Sequence, residues 1–146
     1  MPGELSFGRL NGTKFENFCF ELLQALGFKS VDWRKGTNKK TSPSDRGRDI
    51  VCKELRVERD ESIELLTWYV ECKHFERGVP AAELQNLLSW AQAERPDVAL
   101  FVVSGFLSNS AKDYLDDYRG NQRPPFKIRV WERPQIEKLA RKREFC

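Results

Sequence analysis

Apolar residues along the chain change their spacing several times, and each change marks an element. Phe15, Phe18, Cys19, Leu22, Leu23 and Leu26 recur every three or four positions, the period of one helix face, and Gly27 ends the run. Thr13 and Glu16 read as a capping box that opens this helix. Residues 28–33 are a short strand candidate, and residues 36–47 hold Gly, Asn, Thr, Ser, Pro and Lys, the composition of a mobile loop. A strand resumes over residues 49–55 and extends towards Glu58 as one arm of a hairpin turning at Asp60 and Glu61. Its other arm, residues 64–75, is rich in Trp, Tyr, Val and Thr. Pro80 suits the first position of a second helix, with Leu84, Leu87, Leu88 and Ala91 on its inner face. The unbroken apolar run Val98–Val103 predicts a central strand covered on both faces. Ser108 or Asn109 caps a third helix, with Ala111, Tyr114, Leu115 and Tyr118 inward. Phe126, Ile128 and Val130 alternate with Lys127 and Arg129 in a half-buried strand, and Pro134 opens a last helix carrying Ile136 and Leu139.

The order is helix, three strands, helix, strand, helix, strand, helix. A meander of neighbouring strands pairs antiparallel, whereas strands separated by helices pair parallel through crossovers. The expected fold class is therefore α/β, a mixed sheet flanked by helices. The 146 residues suit a single domain, with a core over about residues 12–140.

Composition adds limits rather than a function. A net charge of +3 does not by itself argue for nucleic acid. Locally the balance is different: Arg34, Lys35, Lys39, Lys40, Arg46 and Arg48 stand against Asp45 alone. No apolar run approaches the roughly 20 residues of a membrane span, and the first residues lack a secretory pattern. Cys19, Cys52, Cys72 and Cys146 form no Cys-x-x-Cys pair, which speaks against structural zinc. Cys19, Cys52 and Cys72, each inside an apolar segment, read as small buried apolar residues in a reducing cytoplasm.

The chemistry concentrates in two segments. Within Tyr69-Val70-Glu71-Cys72-Lys73-His74-Phe75, strand alternation puts Glu71 and Lys73 on one face and Val70, Cys72 and His74 on the other. Alone, such a pair reads as a surface ion pair. Asp49, however, opens the preceding strand behind a Gly-containing turn, and pairing of the two strands would bring Asp49 and Glu71 together. Two carboxylates and a main-chain carbonyl make a hard oxygen site suited to Mg²⁺. A lysine beside them can hold a water or neutralise charge on a phosphate, the parts needed for metal-assisted phosphodiester hydrolysis. His74 is the only histidine, which gives histidine-based mechanisms little support, and Ser104 and Ser108 lack triad partners at recognisable spacing. Trp33, Trp68, Trp90 and Trp131 read as packing residues rather than base-stacking platforms.

Asp49 followed by Glu71-Cys72-Lys73 resembles the PD-(D/E)xK nuclease superfamily, and the blocks GTKFENFCFELLQALGF, DRGRDIV, YVECKHF and ALFVVSGFLSNSAKDYL, in this order, resemble its Mrr-like restriction endonuclease branch from about Gly12 to Leu139. The resemblance implies an αβββαβ-type core, dependence on Mg²⁺, for which Mn²⁺ can substitute, and cleavage of DNA, usually double-stranded. It implies Asp49, Glu71 and the Cys72 carbonyl as metal ligands and Lys73 as the residue that positions or activates water. Glu16 matches an acid that many members bring near the metal, although it equally serves as the capping-box partner of Thr13. Gln85 occupies a position where some relatives place a polar residue at the metal water or a phosphate; otherwise it is a solvated helix residue. Arg48 stands where the name motif has Pro, and Arg46 and Arg48 replace residues that are often Gly.

The basic segment, in particular Lys39, Lys40, Arg46 and Arg48, is the candidate for gripping a phosphate backbone, a contact that positions without reading sequence. The leading expectation is a DNA endonuclease of restriction or antiphage defence, alone, as a homodimer, or as the effector domain of a larger protein with a sensor or recognition module. The alternatives are a non-catalytic nucleic-acid-binding or assembly module of the same fold, and a nuclease acting on RNA or branched DNA.

Overall fold

The computed structural model describes residues 11–34 and 48–142. Helix α1 (Gly12–Ala25) is followed by strands β1 (Lys29–Trp33), β2 (Ile50–Val57) and β3 (Ile63–Lys73). A single 3-10 turn (Ala81–Leu84) leads into α2 (Gln85–Glu94), and β4 (Val98–Val103), α3 (Asn109–Gln122), β5 (Lys127–Trp131) and α4 (Arg133–Lys142) complete the chain. The five strands form one sheet in the order β1-β2-β3-β4-β5. β1, β2 and β3 pair antiparallel, and β3, β4 and β5 pair parallel. The mixed sheet anticipated from the apolar pattern is the sheet observed.

Both faces are covered, which explains why β4 is buried at every residue. Val98, Leu100 and Val102 pack with Ile50, Cys52, Trp68 and Val70 under Phe15, Cys19, Leu22 and Leu23 of α1 and Ile136 and Ala140 of α4. Ala99, Phe101 and Val103 pack on the other face with Leu84, Leu87, Leu88 and Ala91, and with Ala111 and Leu115 of α3. The buried face of α4 is Ile136 and Ala140, one turn apart, with Leu139 only half-buried. Among the described residues no helix is long and apolar enough to cross a membrane.

Two helix starts differ from the sequence expectation. α1 is capped by Asn11, whose side chain accepts from the Lys14 amide at 2.8 Å, not by Thr13. Asn outranks Thr as a cap, and placing it two residues earlier adds another half-turn of helix. Glu16 is thereby released from the capping box. Pro80 is the cap of the 3-10 turn rather than a first helical residue, so α2 proper begins only at Gln85. Asn11→Ala should lower stability by about 1 kcal/mol, while Thr13→Ala should be nearly neutral. Urea midpoints of the two variants check this, and the reverse order would restore Thr13 as the cap.

Candidate active site

The site forms where β2 begins and β3 ends. Ile50 stands opposite Val70, so Asp49 lies beside Glu71. Successive residues of a strand direct their backbone groups to opposite edges. The Asp49 amide donates to the Val70 carbonyl at 2.9 Å on the β2 edge, and the Ser104 amide donates to the Lys73 carbonyl at 2.9 Å on the β4 edge. By this alternation the Cys72 amide and carbonyl both face the Asp49 edge. The amide donates there to Asp49 Oδ2 at 2.7 Å. An oxygen of Asp49 is thus held by the backbone of β3, on the edge that also carries the Cys72 carbonyl.

Glu71 and Lys73 leave β3 on the α2 face. Lys73 Nζ lies 3.1 Å from Glu71 Oε2 and 3.1 Å from Glu83 Oε1 of the 3-10 turn. Glu71 is only 3% exposed. Burial pushes its carboxyl up to about 8, and the nearby Asp49 charge adds to the rise that Lys73 partly offsets. Burial works against the Lys73 ammonium, but Glu71 and Glu83 outweigh it and raise the lysine above its usual range. The lysine is therefore a cation at neutral pH. Glu71 Oε1 is buried and has no hydrogen-bond partner among the described residues. An unpartnered buried carboxylate oxygen is costly unless something with positive charge approaches it. Asp49, Glu71 and the Cys72 carbonyl offer only oxygen, the donor type that Mg²⁺ and Mn²⁺ take. Among the described residues no group of three or more His, Cys, Asp or Glu side chains is placed to hold a metal ion.

A scan against family models matches residues 7–140 to the Mrr catalytic domain, described as a restriction endonuclease. The chain belongs to this restriction endonuclease family. Two solved structures share its fold. One is the DNA modification-dependent restriction endonuclease AspBHI, with a TM-score of 0.63 and 16% identity, covering 92% of this chain and 32% of the other. The other is the MspJI restriction endonuclease in complex with a 27-mer oligonucleotide, with a TM-score of 0.54 and 14% identity, covering 92% of this chain and 28% of the other. The chain thus spans about a third of the length of those chains. No curated protein matches the sequence.

In this restriction endonuclease domain the remaining sequence candidates divide. Glu16 stays near the site: its Oε1 accepts from Trp33 Nε1 at 3.2 Å. Burial, then Cys19, then the charges of Asp49 and Glu16 raise the neighbouring Cys72 thiol well above its usual range. Gln85 is not drawn in. It is exposed and lines a cleft of about 610 Å³ between α2 and α3 with Ser89, Gln92, Tyr114 and Tyr118. The polar residue that does reach Lys73 from this segment is Glu83, which sequence reasoning missed. Its signal was an acid in the first turn after Pro80. His74 points away from Lys73, as alternation requires: Nδ1 lies 2.9 Å from Ser104 Oγ and the ring packs 5.6 Å from Phe15. Arg48 has a side chain only 13% exposed and is packed against α2. Lys39, Lys40 and Arg46 lie outside the described residues.

The Glu71 shift makes a prediction about stability. The folded-state pKa of about 8 exceeds the ordinary 4.5, so between these values the folded chain binds more protons than the unfolded one. Stability from this group is then lost as pH rises through that window. Glu71→Gln, which removes the ionisation, should be more stable than wild type at pH 9, by an amount on the order of a few kcal/mol. The gain should shrink towards pH 5. Urea unfolding at the two pH values measures it, and a constant difference would show that Glu71 ionises normally.

Proposed function

We propose that this domain is a metal-dependent endonuclease that hydrolyses phosphodiester bonds of DNA, double-stranded in the first instance. The observation that carries the reading is the buried Glu71 carboxyl, with one oxygen unpartnered among the described residues, paired with Lys73 and close enough to Asp49 for that charge to act on it. Membership of the restriction endonuclease family supports the activity. The DNA substrate is supported by AspBHI being a DNA modification-dependent restriction endonuclease and by MspJI being held in complex with an oligonucleotide. Asp49, Glu71 and the Cys72 carbonyl would hold Mg²⁺, or Mn²⁺ in its place. Such an ion acidifies bound water and neutralises phosphate charge.

The residues themselves have distinct tasks. The Cys72 amide orients Asp49 by fixing one of its oxygens. Glu71 must give up its proton for its carboxylate to serve as a ligand. Lys73, a cation held between Glu71 and Glu83, supplies a compact charge for the attacking water or for the phosphate oxygens. Water adds to phosphorus as one ester P–O bond breaks, leaving a phosphate monoester end and a hydroxyl end. Negative charge on the phosphoryl oxygens in the transition state is what Lys73 would stabilise. Lys39, Lys40 and Arg46 would grip the backbone. The greater length of the neighbours' chains supports a cutting module that works with a further part of a larger protein, and their description as restriction endonucleases supports a role in restriction.

The decisive experiment is a gel assay on plasmid and linear DNA with Mg²⁺, Mn²⁺ and EDTA. Wild type should cut with either ion and be silenced by EDTA. Lys73→Ala should lose about a hundredfold in rate or more while still binding Mn²⁺, because lysine is not a ligand. Lys73→Arg should not rescue, since a planar guanidinium does not replace a compact ammonium. Asp49→Ala should abolish Mn²⁺ binding in a calorimetric titration. Wild type that binds DNA yet cuts nothing with any ion would favour the non-catalytic module.

The grip has its own test. Replacing Lys39, Lys40 and Arg46 by Ala should flatten the salt dependence of DNA affinity by about 0.9 in log–log slope for each lost contact. An unchanged slope would mean that these residues do not touch phosphate.

A further inference from the structure

Arg48 precedes Asp49, sits at the end of a basic segment, and reads from sequence as a phosphate contact. Its surroundings are those of a different kind of residue. The guanidinium carbon lies 4.1 Å from the centre of the Trp90 ring and 5.2 Å from that of Tyr69. Nη1 donates to Glu94 Oε1 at 3.0 Å, and the same oxygen accepts from the Tyr69 hydroxyl. A cation thus lies against two aromatic rings with its charge matched by a carboxylate. Desolvated cation–π contacts contribute more than exposed ones, and a partly buried ion pair is less screened by salt than a surface pair.

The partners come from two elements. Tyr69 belongs to β3, two residues before Glu71, while Trp90 and Glu94 sit one turn apart on α2. Arg48 itself lies two residues before β2 begins at Ile50. Asp49 follows it; on the β3 side its amide donates to the Val70 carbonyl and its Oδ2 accepts from the Cys72 amide. On the other side its carbonyl accepts from the Arg34 amide at 2.9 Å. Upstream of Asp49, the packed guanidinium of Arg48 ties the same stretch of backbone to β3 and α2.

We propose that Arg48 is a positioning residue: clamped by Trp90, Tyr69 and Glu94, it fixes the backbone entering Asp49 and so aims the Asp49 carboxylate at the Cys72 amide and at Glu71. Its relevance to metal binding and cleavage rests on the nuclease reading above; the clamp itself does not. A phosphate-binding role is the competing assignment, and the two make opposite demands. A phosphate contact needs the guanidinium free to face DNA, whereas the clamp holds it against α2.

The test compares wild type with Arg48→Ala, Arg48→Lys and Glu94→Gln. Amide hydrogen exchange followed by NMR reads the Asp49–Cys72 bond without metal or DNA. Arg48→Ala should speed exchange of the Cys72 amide about tenfold or more while the amides of β4 keep wild-type rates, the sign of a local opening. Arg48→Lys, whose ammonium can still lie over Trp90, should recover part of the protection. Glu94→Gln leaves Arg48 in place but removes its counter-charge, and should give a smaller loss at the same amide. In parallel, Arg48→Ala should weaken Mn²⁺ binding about tenfold, a 1.4 kcal/mol change, and leave the salt slope of DNA affinity unaltered. An unchanged Cys72 amide overturns the proposal, as does uniform acceleration of all amides. A slope lowered by about 0.9 in Arg48→Ala would return the residue to the phosphate contacts. If wild type binds no metal while Cys72 responds as expected, the nuclease reading fails and the clamp stands.

Discussion

The site depends on β3 having two different neighbours. With β2 antiparallel on one edge and β4 parallel on the other, its successive residues alternate in both side-chain face and hydrogen-bonding edge. At the end of the strand this alternation separates the side chains and backbone groups of three consecutive residues. Glu71 and Lys73 project to the α2 face. Cys72 turns its side chain to α1 and its backbone to Asp49. The surrounding layers keep this arrangement dry: β4 is buried throughout, and Glu71 lies against it opposite Phe101.

Dryness has a consequence for energy. A carboxyl that is 3% exposed, with one oxygen unpartnered, works against folding in the absence of a cation. Lys73 relieves part of this but divides its charge between Glu71 and Glu83. Perturbed groups of this sort gather where chemistry is done, because a group poised near neutral pH can exchange a proton for another positive partner. Cys52 shows the contrast. Burial pushes its thiol up to about 12, the Glu54 charge adds to the rise and Lys53 partly offsets it, yet the side chain packs within the apolar cluster under α1 and behaves as core.

Much of this was legible in the chain. Strand alternation alone put Glu71 and Lys73 on one face and His74 on the other. The uninterrupted Val98–Val103 run foretold a strand with helices on both sides. What escaped depended on contacts between distant elements. Asn11 and Thr13 both have capping chemistry, and only the helix start decides between them. Gln85 and Glu83 lie two residues apart. The 3-10 turn, tighter than an α-helix, swings Glu83 towards Lys73 and leaves Gln85 on the α2–α3 cleft. Arg48 looked like part of a basic loop because its aromatic and acidic partners are 21 to 46 residues further on.

The same geometry explains how the fold can persist in structures of 16% and 14% identity. The core asks for apolar residues at a given parity, and many side chains satisfy that request. The site is far less forgiving, because its residues are defined by register. A residue added within the turn at residues 58–62 changes only the hairpin tip. A residue added between Ile63 and Glu71 shifts the end of β3 by one position against β2 and β4. Every side chain beyond it then changes face. Glu71 and Lys73 would turn towards α1, Cys72 would enter the α2 layer, and the amide that holds Asp49 would belong to a residue bonded to the opposite edge. Side-chain identity in the core is thus a weaker physical constraint on this domain than the number of residues between the hairpin and the site.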